Sequence, residues 1–185
     1  MNTLVKSVEA EFQRYKALAE AALAQAPDDV LSSPGPGGGN SLAIICWHIS
    51  GNLKSRFTDF LSSDGEKPWR EREEEFARRA VPRNELMEKW NDGWAVLFAT
   101  LDSLTDANLS QTVQIRKQDL LVHEALHRSL AHITNHVGQI VYIAHSFAAE
   151  SWKYLSIPPG GTAVYNANPS LDKPRDHAAR NEPKP

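Results

Sequence analysis

Val5, Val8, Phe12, Tyr15, Ala19 and Ala22 recur at three- and four-residue steps, the spacing of one face of an amphipathic helix. This stripe predicts a first helix that ends around Pro27. The run S-S-P-G-P-G-G-G that follows is too rich in Pro and Gly for regular structure. Asn40 or Ser41 then offers an N-cap for a second helix, whose apolar face is Leu42, Ile45, Ile49, Leu53, Phe57 and Phe60 and which stops near Asp64 and Gly65. A third helix is predicted from about Asn84 to Leu104, with Leu86, Trp90, Trp94, Leu97 and Leu101 inward. Val113 and Ile115 alternate with polar residues as a short extended piece. A fourth helix is predicted from near Asp119 to about Ala149. Four helices and almost no strand imply an all-α fold, a four-helix bundle.

Two connections stand out. The segment from Asp64 to Pro82 is long and dense in charge, D-G-E-K-P-W-R-E-R-E-E-E-F, with Trp69 and Phe76 as apolar anchors. A loop of this length closes over something or crosses along the bundle. Arg70, Arg72 and the glutamates read as a solvated charged run, with the mouth of a pocket as the alternative place for the arginines. Beyond Glu150, Trp152, Leu155, Ile157 and Tyr165 interrupt a stretch rich in Pro and Gly, which is expected to lie against the bundle. The domain is expected to span residues 1–165, and residues 166–185 to form a disordered tail.

At 185 residues the chain fits one domain. A net charge of -3 with interspersed signs gives no basic stripe for phosphates, so nucleic-acid binding is not expected. The lone cysteine, Cys46, forms no internal disulfide and fits a reducing compartment. The N-terminal residues lack the apolar run of a secretion signal, and no stretch reaches the ~18 apolar residues of a membrane span. The expectation is a cytoplasmic protein with no membrane partner.

The candidate chemistry lies in three histidines. His132 and His136 sit at i, i+4 in A-H-I-T-N-H-V-G-Q-I, on the flank of the arc formed by Val122, Ala125, Ile133, Ile140 and Phe147. They point inward, whereas His123, His127 and His145 share the polar side. One inward histidine is most simply a core imidazole with a hydrogen-bond partner. A pair with a third imidazole, His48 of C-W-H-I-S-G-N, makes an open metal site with positions left for water or substrate. His48 lies off the apolar arc of its helix, in a polar stripe with Asn52, Ser55 and Asp59 that is either solvent face or pocket lining. Asn52, one turn away, is positioned to orient a bound water or substrate, or to make an ordinary hydrogen bond. Cys46 lies about 200° from His48 around the helix and reads as a small buried apolar residue. No Ser-His-Asp arrangement and no paired carboxylates stand out.

These residues carry a resemblance. N-S-L-A-I-I-C-W-H-I-S-G-N-L-K-S-R-F-T-D-F-L-S-S-D-G-E-K-P-W-R, H-I-T-N-H-V-G-Q-I-V-Y-I-A and W-K-Y-L-S-I-P-P-G resemble the DinB-like superfamily of metal-binding four-helix bundles, over most of residues 1–165. The resemblance implies an up-down-down-up bundle with a long crossover between helices two and three, and a homodimer. It also implies a divalent metal, zinc or nickel, on His48, His132 and His136. Val137 stands where many relatives carry a basic residue after the last ligand histidine, and Pro159 where this branch is expected to carry an arginine, so no anion contact carries over to them. Members with known reactions use a low-molecular-weight thiol, which a metal holds as nucleophilic thiolate. The resulting expectation is a metal-dependent enzyme acting on a small molecule, first a thiol-dependent S-transferase. The alternatives are a metal-dependent hydrolase and a dimeric metal-binding protein without catalysis.

Overall fold

The computed structural model describes residues 3–181. Among them are seven α-helices and one two-stranded hairpin: α1 Thr3–Leu23, α2 Leu42–Phe57, α3 Arg72–Glu75, α4 Arg83–Ser103, β1 Thr112–Ile115, β2 Gln118–Leu121, α5 Val122–Ala148, α6 Thr162–Ala167 and α7 Pro174–Asn181. The four long helices share one core. Helix α2 lies along α4, and α1 along α5, with further contact between α2 and α5. Phe12 of α1 meets Phe57 of α2 and Trp94 of α4 edge-on, at ring distances of 6.4 and 6.3 Å, so one aromatic side chain ties three helices. The α2 and α4 backbones approach closely where Gly93 meets Ser50. A Cβ at Gly93 would stand 2.6 Å from the Ser50 Cα, and the Ser50 hydroxyl donates to the Lys89 carbonyl at 2.6 Å. No helix among the described residues is long and apolar enough to cross a membrane.

Helix α2 begins as its sequence suggests, with the Ser41 hydroxyl accepting the Ile44 N–H at 3.2 Å. It ends seven residues before Asp64, earlier than the apolar periodicity implies. The chain turns at Thr58, which is extended, and Asp59, which is left-handed with φ 49°. Phe60 still reaches the core against Phe57, at 5.3 Å, so the apolar spacing outlasts the helix.

The start of α5 also differs from expectation. Residues 118–121 form β2, antiparallel to β1, with Val113 opposite Leu120. The joining residues Arg116 and Lys117 both have positive φ, 55° and 61°, a conformation usually left to Asn and Gly. Asp64 offsets the strain. Its carboxylate accepts the N–H groups of Glu66, Arg116 and Lys117 at 2.7, 2.8 and 2.7 Å, and the Gly65 N–H adds a bond of 2.7 Å to the Gln114 carbonyl. The start of the crossover is thereby sewn to the hairpin. Asp64→Ala is expected to lower stability by about 1–2 kcal/mol, read as a lower denaturant midpoint, and an unchanged midpoint would show that the turn holds without it.

The C-terminal part carries more helix than its composition suggests. Trp152 and Leu155 pack on the core, and Gln25 and Lys153 exchange hydrogen bonds of 3.1 and 2.6 Å. Within the stretch read as a disordered tail, α7 lies along α1 and buries His177, Ala178 and Asn181. These three positions repeat at a helical step with almost no hydrophobic side chains, so apolar periodicity gives no sign of them. Residues 182–185 of that stretch lie outside the described residues.

Candidate metal centre

Helix α5 buries a single stripe, Ala125, Ser129, Ile133, Val137, Ile140 and Ala144. His132 and His136 stand beside that stripe and are half-buried. His48 projects from α2 toward them and is 4% exposed. The His48 and Asn52 part of the α2 polar stripe is therefore pocket lining rather than solvent face. Asn52 lines the same pocket. Ser55 is buried and donates to the Gly65 carbonyl at 2.7 Å, whereas Asp59 lies past the helix end and is exposed.

The Nε2 atoms converge. His132 Nε2 lies 3.2 Å from His48 Nε2 and 3.2 Å from His136 Nε2, and one nitrogen of each ring falls within 4.8 Å of the others. On the far side of two rings, acceptors fix the tautomer. Glu75 Oε2 accepts from His48 Nδ1 at 2.8 Å, and Gln139 Oε1 accepts from His136 Nδ1 at 2.9 Å. Carboxylate and amide oxygens only accept, so both rings carry their proton on Nδ1 and turn an Nε2 lone pair inward. His132 Nδ1 is buried without a hydrogen-bond partner among the described residues.

With its own proton on Nδ1, His132 turns a third lone pair toward the other two, and three inward lone pairs repel one another unless a cation lies between them. A proton is a poor choice near neutral pH. Burial, and then the neighbouring His136 and His48, lower the His132 pKa to about 4. His136 is also lowered, chiefly by burial. A metal ion fits better. Two nitrogens each bound at ~2.0–2.1 Å to a tetrahedral ion stand ~3.3 Å apart, close to the two separations of 3.2 Å.

Glu75 belongs to this site although its position in R-E-R-E-E-E gives no hint of it. It ends α3, is buried, and receives a two-pronged salt bridge from Arg70, with Nε to Oε1 at 2.8 Å and Nη2 to Oε2 at 2.9 Å. Burial alone would raise the Glu75 carboxyl, but His48 and Arg70 outweigh it and hold the carboxyl below its usual range. The approach requires Gly51, one turn from His48. A Cβ there would lie 2.1 Å from Glu75 Oε1. Phe76 leans on the His48 ring at 4.7 Å, which makes it the anchor expected of it. Trp69, expected to pack against protein, is 53% exposed in the single chain.

The other histidines of α5 stay apart from the cluster, and His177 lies on α7 beside Asn181. His123 Nδ1 donates to the Leu109 carbonyl at 2.9 Å, His127 is exposed, and exposed His145 stacks on Trp152 at 4.9 Å. Cys46 is wholly buried in the core, and burial pushes its thiol far up, out of nucleophilic range near neutrality.

The lowered imidazoles make the metal-free protein acid-sensitive. Between pH ~6.5 and about 4 an unfolded His132 takes up a proton that the folded one refuses. The unfolded state then binds more protons, so stability is present above that window and is lost as pH falls through it. Glu75, also lowered, extends the loss through the carboxylate range. Denaturation of metal-free protein is expected at lower denaturant at pH 5 than at pH 7.5, and an equal or higher midpoint at pH 5 would contradict this.

A mostly helical chain that brings three imidazoles to one point on facing helices is thus defined. It matches, over residues 1–161, a family model described as "Protein of unknown function (DUF1572)", and it belongs to that family. Comparison with curated proteins and with solved structures gives no match.

Proposed function

We propose that the chain is a DinB-like bundle of the up-down-down-up kind. In this reading α1, α2, α4 and α5 are its four helices, and the segment from Thr58 to Pro82 is the crossover. His48, His132 and His136 hold a divalent ion, zinc or nickel, and the protein is a metal-dependent enzyme, foremost a thiol-dependent S-transferase. The observation that carries the reading is the convergence of three Nε2 atoms, two of them committed to inward lone pairs by Glu75 and Gln139. When bound, the ion supplies Lewis acidity and lowers the pKa of a thiol or water.

The chain's own residues divide the remaining work. Glu75 and Gln139 keep the two rings oriented and raise their basicity as ligands. Arg70 holds Glu75 ionised. Three protein ligands leave the pocket side open, where Asn52 stands ready to orient an incoming group. Buried Cys46 takes no part, so any thiol comes from a small molecule. Metal analysis of untagged protein, followed by assay of electrophile consumption with bacillithiol, mycothiol or glutathione, tests the reading. Metal-dependent consumption with one thiol supports the transferase. Metal-dependent turnover with water alone makes it a hydrolase, and stoichiometric metal with no turnover leaves a binding protein.

The assembly is proposed to be a two-fold homodimer formed through bundle helices. Leu4 and Tyr142, on α1 and α5, are 62% and 65% exposed, and such apolar surface suits a partner copy. On α1, Leu23 is buried in the core and Leu18 packs partly against it, which leaves Leu4 as the exposed leucine of that helix. Light scattering is expected to give twice the chain mass of 20.6 kDa. The chain mass itself, unchanged on concentrating, would remove the dimer.

A further inference from the structure

The pocket that opens beside the histidines has an unusual lining. It measures about 430 Å³ and is bounded by His48 and His132 on one side and by Arg56, Arg70, Arg72, Arg116 and Arg128 on the others, with no carboxylate among its lining residues. That volume suits a small molecule. The arginines come from four separate parts of the chain: α2, the crossover, the hairpin turn and α5.

The carboxylates behind the pocket do not balance them. Glu66 serves both Arg56, at 3.1 Å, and Arg116, at 2.8 Å. Glu75 serves Arg70, and Glu73 serves Arg72 at 2.9 Å. Five guanidiniums therefore meet three carboxylates, and Arg128 has no ion-pair partner among the described residues. Arg70 adds the more telling observation. Its side chain is 2% exposed, and its Nη1 is buried with no hydrogen-bond partner, the nearest carboxylate oxygen, that of Glu66, lying 3.9 Å away. A buried guanidinium with a spare donor, in a pocket with excess positive charge, is a seat for an oxyanion.

We propose that this pocket binds the oxyanion group of the small molecule on which the protein acts, a carboxylate or a phosphate ester. Arg128 and Arg72 meet it from the open side, and Arg70 adds its charge from within. The inference builds on the metal-site reading, because the same pocket reaches His48 and His132, and it names the chemical class of the ligand. A molecule with its oxyanion among the arginines has its other end directed toward the histidines. The arginines thus act as a specificity element that rejects uncharged analogues.

The test is calorimetry on the full chain, first stripped of metal, with inorganic phosphate, malonate and uncharged malonamide as probes. Stripped protein is expected to bind phosphate or malonate and not malonamide, and the better of the two anions identifies the source of the oxyanion. Arg128→Gln and Arg72→Gln, at positions exposed enough to spare the fold, are each expected to weaken that binding by about 10-fold. Lys54→Gln removes the same charge from the other side of α2 and is expected to change it by less than about 2-fold. No binding of either anion, equal binding of malonamide, or equal weakening in all three variants would overturn the proposal. The metal-site reading fails separately: a chain that takes up no zinc or nickel yet binds the anion through Arg128 loses the metal and keeps the oxyanion seat.

Discussion

His132→Ala and His136→Ala are expected to strip the protein of most of its bound metal, while His127→Ala leaves metal content unchanged. All three residues sit on α5, so the comparison isolates position from composition. His132 is central, because both Nε2 separations of 3.2 Å run to it. Its removal leaves His48 and His136 without the ring that joins them. His127 is exposed and, among the described residues, its one ring neighbour is His123, at 6.1 Å. The expected loss is therefore largest for His132→Ala, large for His136→Ala and His48→Ala, and absent for His127→Ala. Metal analysis after dialysis at limiting metal reads this directly. Equal loss in His127→Ala and His136→Ala would mean that α5 presents a different face to α2.

The second large effect is expected at Glu75, a residue that touches no metal in this account. Glu75→Ala removes the acceptor that fixes the His48 tautomer and leaves the 2%-exposed Arg70 side chain without its partner. Loss of an orienting partner of this type weakens metal binding by about 10- to 100-fold. Stranding a buried charge costs about 3 kcal/mol or more of stability. Glu75→Gln keeps an oxygen for His48 but not the charge for Arg70, so it is expected to retain more metal affinity than stability. Gly51→Ala acts on the same contact from the other side, because its Cβ would overlap the Glu75 carboxylate. Full metal affinity and an unchanged denaturant midpoint in Glu75→Ala would remove Glu75 from the site.

Much of this arrangement was legible in the sequence. Apolar steps of three and four residues marked α1, α4 and most of α5, because each long helix buries one stripe. The i, i+4 pair of His132 and His136 fell beside the α5 stripe, and His48 stood out as an imidazole on a neighbouring helix. What escaped was decided by contacts distant in sequence. The hairpin turn at Arg116 and Lys117 lacks Asn and Gly because Asp64, some fifty residues earlier, supplies its hydrogen bonds. Leu120 and Leu121 fit the rhythm of the helix that follows, so β2 merged into α5. Glu75 is one of three consecutive glutamates, and nothing local separates it from Glu73 and Glu74. The available signal lay in α2, where Gly51 falls one turn from His48 and leaves the helix bare on that face. Arg70 and Arg72 read as solvated charge for the same reason, although the fold turns them toward the pocket.

The claim on which the rest depends is that one ion sits where three imidazole nitrogens meet. An anomalous-difference map from crystals of untagged protein, collected at the absorption edge of the bound metal, tests it most directly. The account predicts one peak per chain, ~2.0–2.2 Å from a ring nitrogen of each of His48, His132 and His136. A map with no peak at that point, or with the peak on His123 and His127 and the His48 ring turned to solvent, would contradict it.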